Sequence, residues 1–189
     1  MKKVFAAGAA AAVTMLCASQ ASAQTADSEH GYYANAGYTR FAGDDDADAN
    51  LDGLTGRAGV RQGFIGVEVE GSIGIGSESQ RVEGVNVDVS LTHTYAGYVV
   101  AYKRISENVD VFARAGLGEI KLEAKALGEM EEVSEGLFAF GVGGQYFFGG
   151  GVNGIRADFT RIELGEEDED DEDLNGSVNS VSLSFVRRF

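Results

Sequence analysis

Proline and tryptophan are absent from this chain of 189 residues, histidine occurs twice and cysteine once. Each shortage closes off something. Without proline every backbone N–H is present, so hydrogen-bonded ladders can run long without a break. A lone cysteine, Cys17, cannot form a disulfide within the chain. With His30 and His93 as the only imidazoles, nucleophilic catalysis that pairs Ser or Cys with a His base has few places to reside. Bases are scarce too: 15 Lys and Arg stand against 30 Asp and Glu, a net charge of −15. That sign argues against nucleic-acid binding, which calls for a basic face. Nor does any stretch after residue 24 approach the roughly 20 apolar residues of a membrane helix.

What is present begins at the N-terminus. Lys2 and Lys3 precede the apolar run VFAAGAAAAVTMLCA, and ASA follows at 21–23. A basic start, a short hydrophobic middle and a small-x-small site form a secretory signal peptide. The expectation is a cleaved segment over 1–23 and one exported domain over 24–189, a length that suits a single domain. The alternative, a lipoprotein anchored through Cys17, is opposed by Leu16, where a lipobox wants a small residue. Cleavage removes two bases, no acids and the only cysteine.

The remaining sequence alternates with the period of a β-strand almost throughout. Strands are expected over 31–42, 54–62, 64–76, 87–102, from 109, and over 137–147, 154–162 and 179–189. In the third, Ile65, Val67, Val69, Ile73 and Ile75 share one face, with Glu68 and Glu70 on the other. In the fourth, Val87, Val89, Leu91, Tyr95 and Val99 lie opposite Asp88, Ser90, Thr92 and Thr94. The fifth changes phase near Gly116–Gly118, which points to a bulge there. Connections are short near 62–63, 103–108 and 148–153, and long at 43–53, 77–86, 123–136 and 163–178. The long ones hold GDDDADANLDG, EMEEVSE and GEEDEDDEDLNG, while Arg61, Lys103, Arg104, Arg187 and Arg188 gather by the short turns. Short turns at one rim and long polar loops at the other are the layout of an outer-membrane barrel.

Alternation does not by itself say which face looks inward, since a soluble barrel turns its apolar face to the interior. Three features favour the inverted arrangement. Arg57, Glu68, Glu70, Arg114, Arg156 and Asp158 sit in mid-strand opposite the aliphatics, and an eight-stranded barrel is just wide enough for side chains to fill. Phe41, Phe64, Tyr102, Phe147, Phe148, Phe159 and Phe189 lie near strand ends, as interfacial girdles do. The export signal agrees, and in lipid the sheet has to close so that no backbone group is left unpaired. A two-residue turn at Gln62–Gly63 sets Arg57 opposite Glu68, and a slip of two residues sets it opposite Glu70 instead. The six charged residues are therefore expected to form an ion-pair cluster inside the barrel, either as plain filling or as a plug.

HGYYANAGYTRF, VFARAGLG, GVGGQYFF, GIRADFTRI and SVSLSFVRRF together resemble the small eight-stranded outer-membrane β-barrel proteins of Gram-negative bacteria. That group includes the transmembrane domain of outer membrane protein A and the opacity-type surface proteins. The resemblance spans the whole expected mature chain. It implies an all-β, eight-stranded antiparallel up-and-down transmembrane barrel in the cell outer membrane. It also implies that Phe189, with Phe185 before it, is read by the barrel-assembly machinery. Arg187 departs from the pattern of alternate hydrophobic residues, although at the rim an arginine can reach the headgroups.

Other chemistry has few footholds in this sequence. His93 falls on the apolar side of its strand, with no serine two residues on, and general acid–base work needs aimed, partnered groups. GVGGQ matches no nucleotide fingerprint, and its glycines let strands pack and bend. Asp48, Asn50 and Asp52 copy the first half of a calcium loop, yet its twelfth position is Gly59 rather than a bidentate Glu. The run EEDEDDED at 166–173 can gather divalent cations loosely or act as a solvated loop. The expected function is a non-catalytic structural or surface barrel, without cofactor, monomeric, in contact with outer-membrane lipid and lipopolysaccharide. The alternative is a narrow porin or an adhesin-like binding protein that uses its acidic loops. A lipid-modifying enzyme ranks third, for want of Ser–His geometry.

Overall fold

The structure is a computed structural model and describes residues 30–43, 50–76, 78–82, 85–126, 129–149, 151–165 and 176–189. The expected signal segment, with Cys17, lies outside these residues, as do Asp48 and the run at 166–173.

Alternating side chains build nine strands: β1 (His30–Gly43), β2 (Asn50–Gln62), β3 (Ile65–Gly74), β4 (Glu78–Val82), β5 (Val85–Ser106), β6 (Val109–Ala126), β7 (Glu129–Phe148), β8 (Asn153–Gly165) and β9 (Ser177–Arg188). Every neighbouring pair is antiparallel, in the order β3-β2-β1-β9-β8-β7-β6-β5-β4, and β3 also pairs with β5. β3 and β4 thus occupy one position in series, and the sheet closes as an eight-stranded barrel. In mid-barrel closure gives every strand a partner on both sides, the condition for crossing lipid, whereas β4 and the start of β7 are each paired on one side only.

The inverted orientation holds in mid-barrel. Val67, Val69 and Ile73 are 54, 56 and 59% exposed, whereas Glu68 between them is 2% exposed. Leu183 and Phe185 likewise point out while Ser182 and Ser184 are buried. Inside, side chains fill the bore in layers from the short-turn end upward. Arg61, Asp110, Gln145 and Arg188 come first, then Tyr33, Tyr102, Phe112 and Phe147, then the six charged residues named above. A belt of hydroxyls follows: Thr39 bonds Thr55 at 2.7 Å and Ser182 at 3.1 Å, and Thr55 bonds Ser72 at 2.7 Å. Two glycines make room for large rings. A Cβ on Gly59 would stand 2.4 Å from the Tyr33 ring, and one on Gly143 would stand 2.4 Å from that of Phe112.

Above the hydroxyls the polarity reverses. Phe41, Leu91, Ile120, Leu137 and Ile162 are buried inside, packed with Leu51, Leu122, Leu164 and Val178. At the same height the outward residues are Arg40, Asp52, Glu119, Lys121, Arg161 and Glu163. Outward charges are destabilising at the bilayer midplane and tolerated at its edge, so this row lies at or beyond the lipid boundary. From this row the strands continue with apolar side chains inside and charged ones outside, the arrangement of a soluble barrel.

This reversal corrects several expectations. The phase change at Gly116–Gly118 is no bulge, because β6 pairs with β7 without a break from Val109 to Ala126. Even-numbered residues face inward along β6 from Asp110 to Ile120, and only their character changes, from Asp110 and Arg114 to Ile120. Both register shifts of the β5–β6 ladder lie in β5 instead, one between Arg104 and Ser106 beside the turn, the other a bulge between Leu91 and His93. It turns Leu91 into the bore, away from the face that carries Tyr95 and Val99. Phe41, Tyr102 and Phe147 are 5, 6 and 1% exposed, so they are interior packing rather than girdle; Phe64, Phe148, Phe159 and Phe189 do face out. The expected loop over 123–136 is mostly ladder, since Ala126 pairs with Glu129. The first short turn is Gly63–Phe64, flanked by the pair Gln62 and Ile65. Gly63, at φ +63, supplies the left-handed conformation that tight hairpin turns need at their first central position. The slipped register follows: Arg57 faces Glu70, and Glu68 faces Gly59.

Candidate functional site

The six charged residues come from four strands whose inward positions meet at one height. β2 supplies Arg57, β3 Glu68 and Glu70, β6 Arg114, and β8 Arg156 and Asp158. The structure brings all six together. Arg57 bonds Glu70 through Nε and reaches Asp158 Oδ1 with Nη2 at 3.3 Å. Arg114 Nη1 lies 2.7 Å from Glu70 Oε2 and 3.2 Å from Glu68 Oε1, while its Nη2 lies 3.0 Å from Asp158 Oδ1. Arg156 holds Glu68 with two donors, at 2.7 and 3.2 Å, and its Nε is 3.5 Å from Asp158 Oδ2. Each arginine thus touches two or three carboxylates. Three positive and three negative charges balance, which buried ions require.

Neighbouring groups take up some of the remaining valences, while Arg156 Nε and Asn35 Nδ2 are buried without a hydrogen-bond partner. Tyr33 donates to Glu68 Oε2 at 2.9 Å and receives a bond from Tyr102 at 2.8 Å. Arg114 also bonds Thr160 Oγ1 at 2.7 Å, and Arg57 reaches Ser182 at 3.2 Å. The guanidinium carbons of Arg114 and Arg156 lie 4.3 Å over the Tyr98 ring and 4.0 Å over the Phe112 ring. Planar, delocalised arginine suits such stacked and bidentate sites better than lysine would. The Glu68 and Arg156 side chains are wholly shielded, each at 0% exposure. Asp158 is shielded as well, at 1%, while the Glu70 side chain keeps 11% exposure.

A second cluster was missed in the sequence. Asp110 accepts from Arg61 at 2.8 Å, from Gln145 at 3.1 Å and from Arg188, with Arg104 Nε 3.8 Å away. Arg188 also lies 3.4 Å over the Phe147 ring. The signal was available: Arg61 shares the inward parity of Arg57, and Asp110 that of Arg114. Arg61 and Arg188 lie near the short turns, as their places in the sequence indicate, and both turn into the bore.

The other candidate residues lie apart. Phe185 faces outward; Phe189 does too, its N–H bonded to Tyr32 O at 2.9 Å and its ring 5.7 Å from the Arg187 guanidinium carbon. Asp52 is engaged by Arg40 Nε at 3.0 Å, and Asn50 opens β2 as an exposed residue. Among the described residues no group of three or more potential metal ligands converges. His93 stacks on Tyr95 with ring centres 6.2 Å apart and planes 15° from parallel.

Comparison with known proteins bears on this arrangement. A family model for an outer membrane protein beta-barrel domain matches residues 9–189. Among solved structures, Neisserial surface protein A aligns with a TM-score of 0.65 at 12% identity, covering 84% of this chain and 97% of its own. Ail, the attachment invasion locus protein of Yersinia pestis, in complex with the heparin analogue sucrose octasulfate, aligns with a TM-score of 0.60 at 19% identity, covering 85% and 99%. The N-terminal β-barrel domain of OprF from Pseudomonas aeruginosa gives 0.52 at 11% identity, covering 83% and 98%. At these identities the likeness is one of fold. No curated protein matches the chain in sequence.

Proposed function

The chain belongs to the outer membrane protein β-barrel family, in the cell outer membrane, and from that premise we propose a non-catalytic structural or surface barrel whose bore is closed by its own ion pairs. One observation carries the reading: Glu68 and Arg156, each at 0% side-chain exposure, lock across the bore. A conducting pore keeps its lining wet, whereas this lining is spent on internal pairs. The enclosure also argues against catalysis by these carboxylates, since a general acid has to reach the atom it protonates. The barrel stands as a monomer, touching lipid and lipopolysaccharide with its aliphatic face. Phe189, on the closing strand, serves as the mark for the assembly machinery. Planar-bilayer recording of refolded protein tests the closed bore. Silence is expected, and steady openings in the unaltered protein would overturn it.

A second reading, adhesin-like binding, draws on the β6–β7 hairpin, which runs past the outward charged row and carries EMEEVSE. Ail was crystallised with a polyanion. Here the acid-rich stretches at 44–52 and 166–173 would repel one and favour a basic partner, and the same acids give divalent cations a loose hold. Titration with polylysine and with sucrose octasulfate separates the cases: heat from the first alone supports a basic partner, and heat from the second alone refutes it.

A further inference from the structure

The apolar layer at the outer end of the bore is not needed to hold the strands in lipid, because it lies level with outward-facing charge. Phe41, Leu91, Ile120, Leu137 and Ile162, from five different strands, are each 4–6% exposed, and Val178 packs on them. Around them on the outside stand Arg40 and Asp52, paired at 3.0 Å, and Arg161, which bonds Ser177 at 2.9 Å. Two buried hydroxyls adjoin this ring, Thr94 paired with Ile120 and Ser180 paired with Phe41, and Ser180 is spent on Thr160 O at 3.3 Å; the other groups are aliphatic or aromatic and offer water no partner. Such constrictions stop ions by dewetting. Directly beneath, the hydroxyls of Thr39, Thr55, Ser72 and Ser182 satisfy one another.

We infer that this layer is a second, hydrophobic seal in series with the ion-pair plug, and that it keeps outside water from the plug. The seal deepens the closed-bore reading and rests on it for its consequence, though not for its existence. A dry ceiling lowers the local dielectric, so each ion pair below is stronger and each unpaired charge more destabilising.

The test probes the space between the two barriers. The full chain carrying Cys17→Ser has no cysteine, so Thr55→Cys places a single thiol in the hydroxyl belt, and Glu163→Cys gives an outward control. A charged, water-soluble methanethiosulfonate reagent is added to refolded protein in vesicles. Thr55→Cys is expected to react about a hundredfold more slowly than the control, as a dewetted constriction requires. Adding Phe41→Ala and Ile162→Ala is expected to raise its rate about tenfold while bilayer conductance stays nil, because the plug below is intact. Heat-modifiable gel migration reports folding, and the milder Ile162→Thr serves where the double variant does not fold. Thr55→Cys reacting as fast as the control, or a rate unmoved when the layer is opened, overturns the seal. Fast modification of Thr55→Cys in a protein that stays silent in the bilayer would refute the seal and spare the plug, whereas conductance by the unaltered protein would refute both, since the two barriers lie in series.

Discussion

Replacing Glu68 by glutamine leaves the shape of the lumen and removes one charge. The Glu68 carboxylate takes bonds from Arg156 at 2.7 and 3.2 Å, from Arg114 at 3.2 Å and from Tyr33 at 2.9 Å. After Glu68→Gln, three guanidiniums share two carboxylates, and an amide N–H is pressed toward Arg156. Breaking a buried ion pair by removing one partner is destabilising by about 3–5 kcal/mol. Urea unfolding in lipid vesicles reads this directly: with a slope of about 2 kcal/mol per molar, the midpoint falls by about 2 M. A companion variant distinguishes charge balance from lost packing. Glu68→Met with Arg156→Met leaves Arg57 and Arg114 facing Glu70 and Asp158, two against two. That pair of changes is expected to be less destabilising than either substitution alone, since apolar replacement of a buried pair is often neutral or better. A loss under about 1 kcal/mol for Glu68→Gln would refute the reasoning, as would a double variant equal to the sum of the singles within about 0.5 kcal/mol.

Other perturbations have distinct outcomes. Gly143→Val drives a side chain into Phe112 Cζ and into Asp158 Cβ, 2.7 Å from the added carbon, and overpacking of this kind should lower stability by about 1–3 kcal/mol in the same urea assay. Asp110→Asn weakens its grip on Arg61 and Arg188 near the open rim, and a fall of about 2 kcal/mol is expected, the scale of hydrogen bonds to charged groups. Deleting Phe189 is expected to slow insertion by purified assembly machinery without altering spontaneous folding in detergent; equal rates with the machinery would remove its proposed role. In the Cys17→Ser chain, a thiol at Phe140 should be shielded from water-soluble maleimide in vesicles, while one at Glu163 should react, and equal labelling would displace the lipid boundary drawn above.

Strand number, closure and orientation were legible because the aliphatic face is strictly alternate where lipid touches it, as in Ile65, Val67 and Val69 against Glu68 and Glu70. The six lumen residues could be chosen by the same parity, without knowing the register. The register itself was not legible: Gln62–Gly63 and Gly63–Phe64 both make plausible two-residue turns, and the preference of Gly63 for the first central position decides between them. Position along a strand misled in the same way for Phe41, Tyr102 and Phe147, because nearness to an end says nothing about side, and parity does.

The deeper failure came from treating apolar as a synonym for outward. Along β6 the apolar residues move from odd to even numbers between Leu117 and Ile120, and a reader who takes them as one face has to invent a bulge. The backbone does not slip; the solvent on its outer side changes from acyl chains to water, and the rule that places oily groups changes with it. The same exchange occurs between Tyr38 and Phe41 in β1 and between Phe159 and Ile162 in β8. Three strands that switch at one height, without a register shift in the β1–β2, β6–β7 or β8–β9 ladders, locate a plane rather than three separate defects. We take that plane as a membrane boundary, written into the chain as a change in which parity carries the hydrophobic residues.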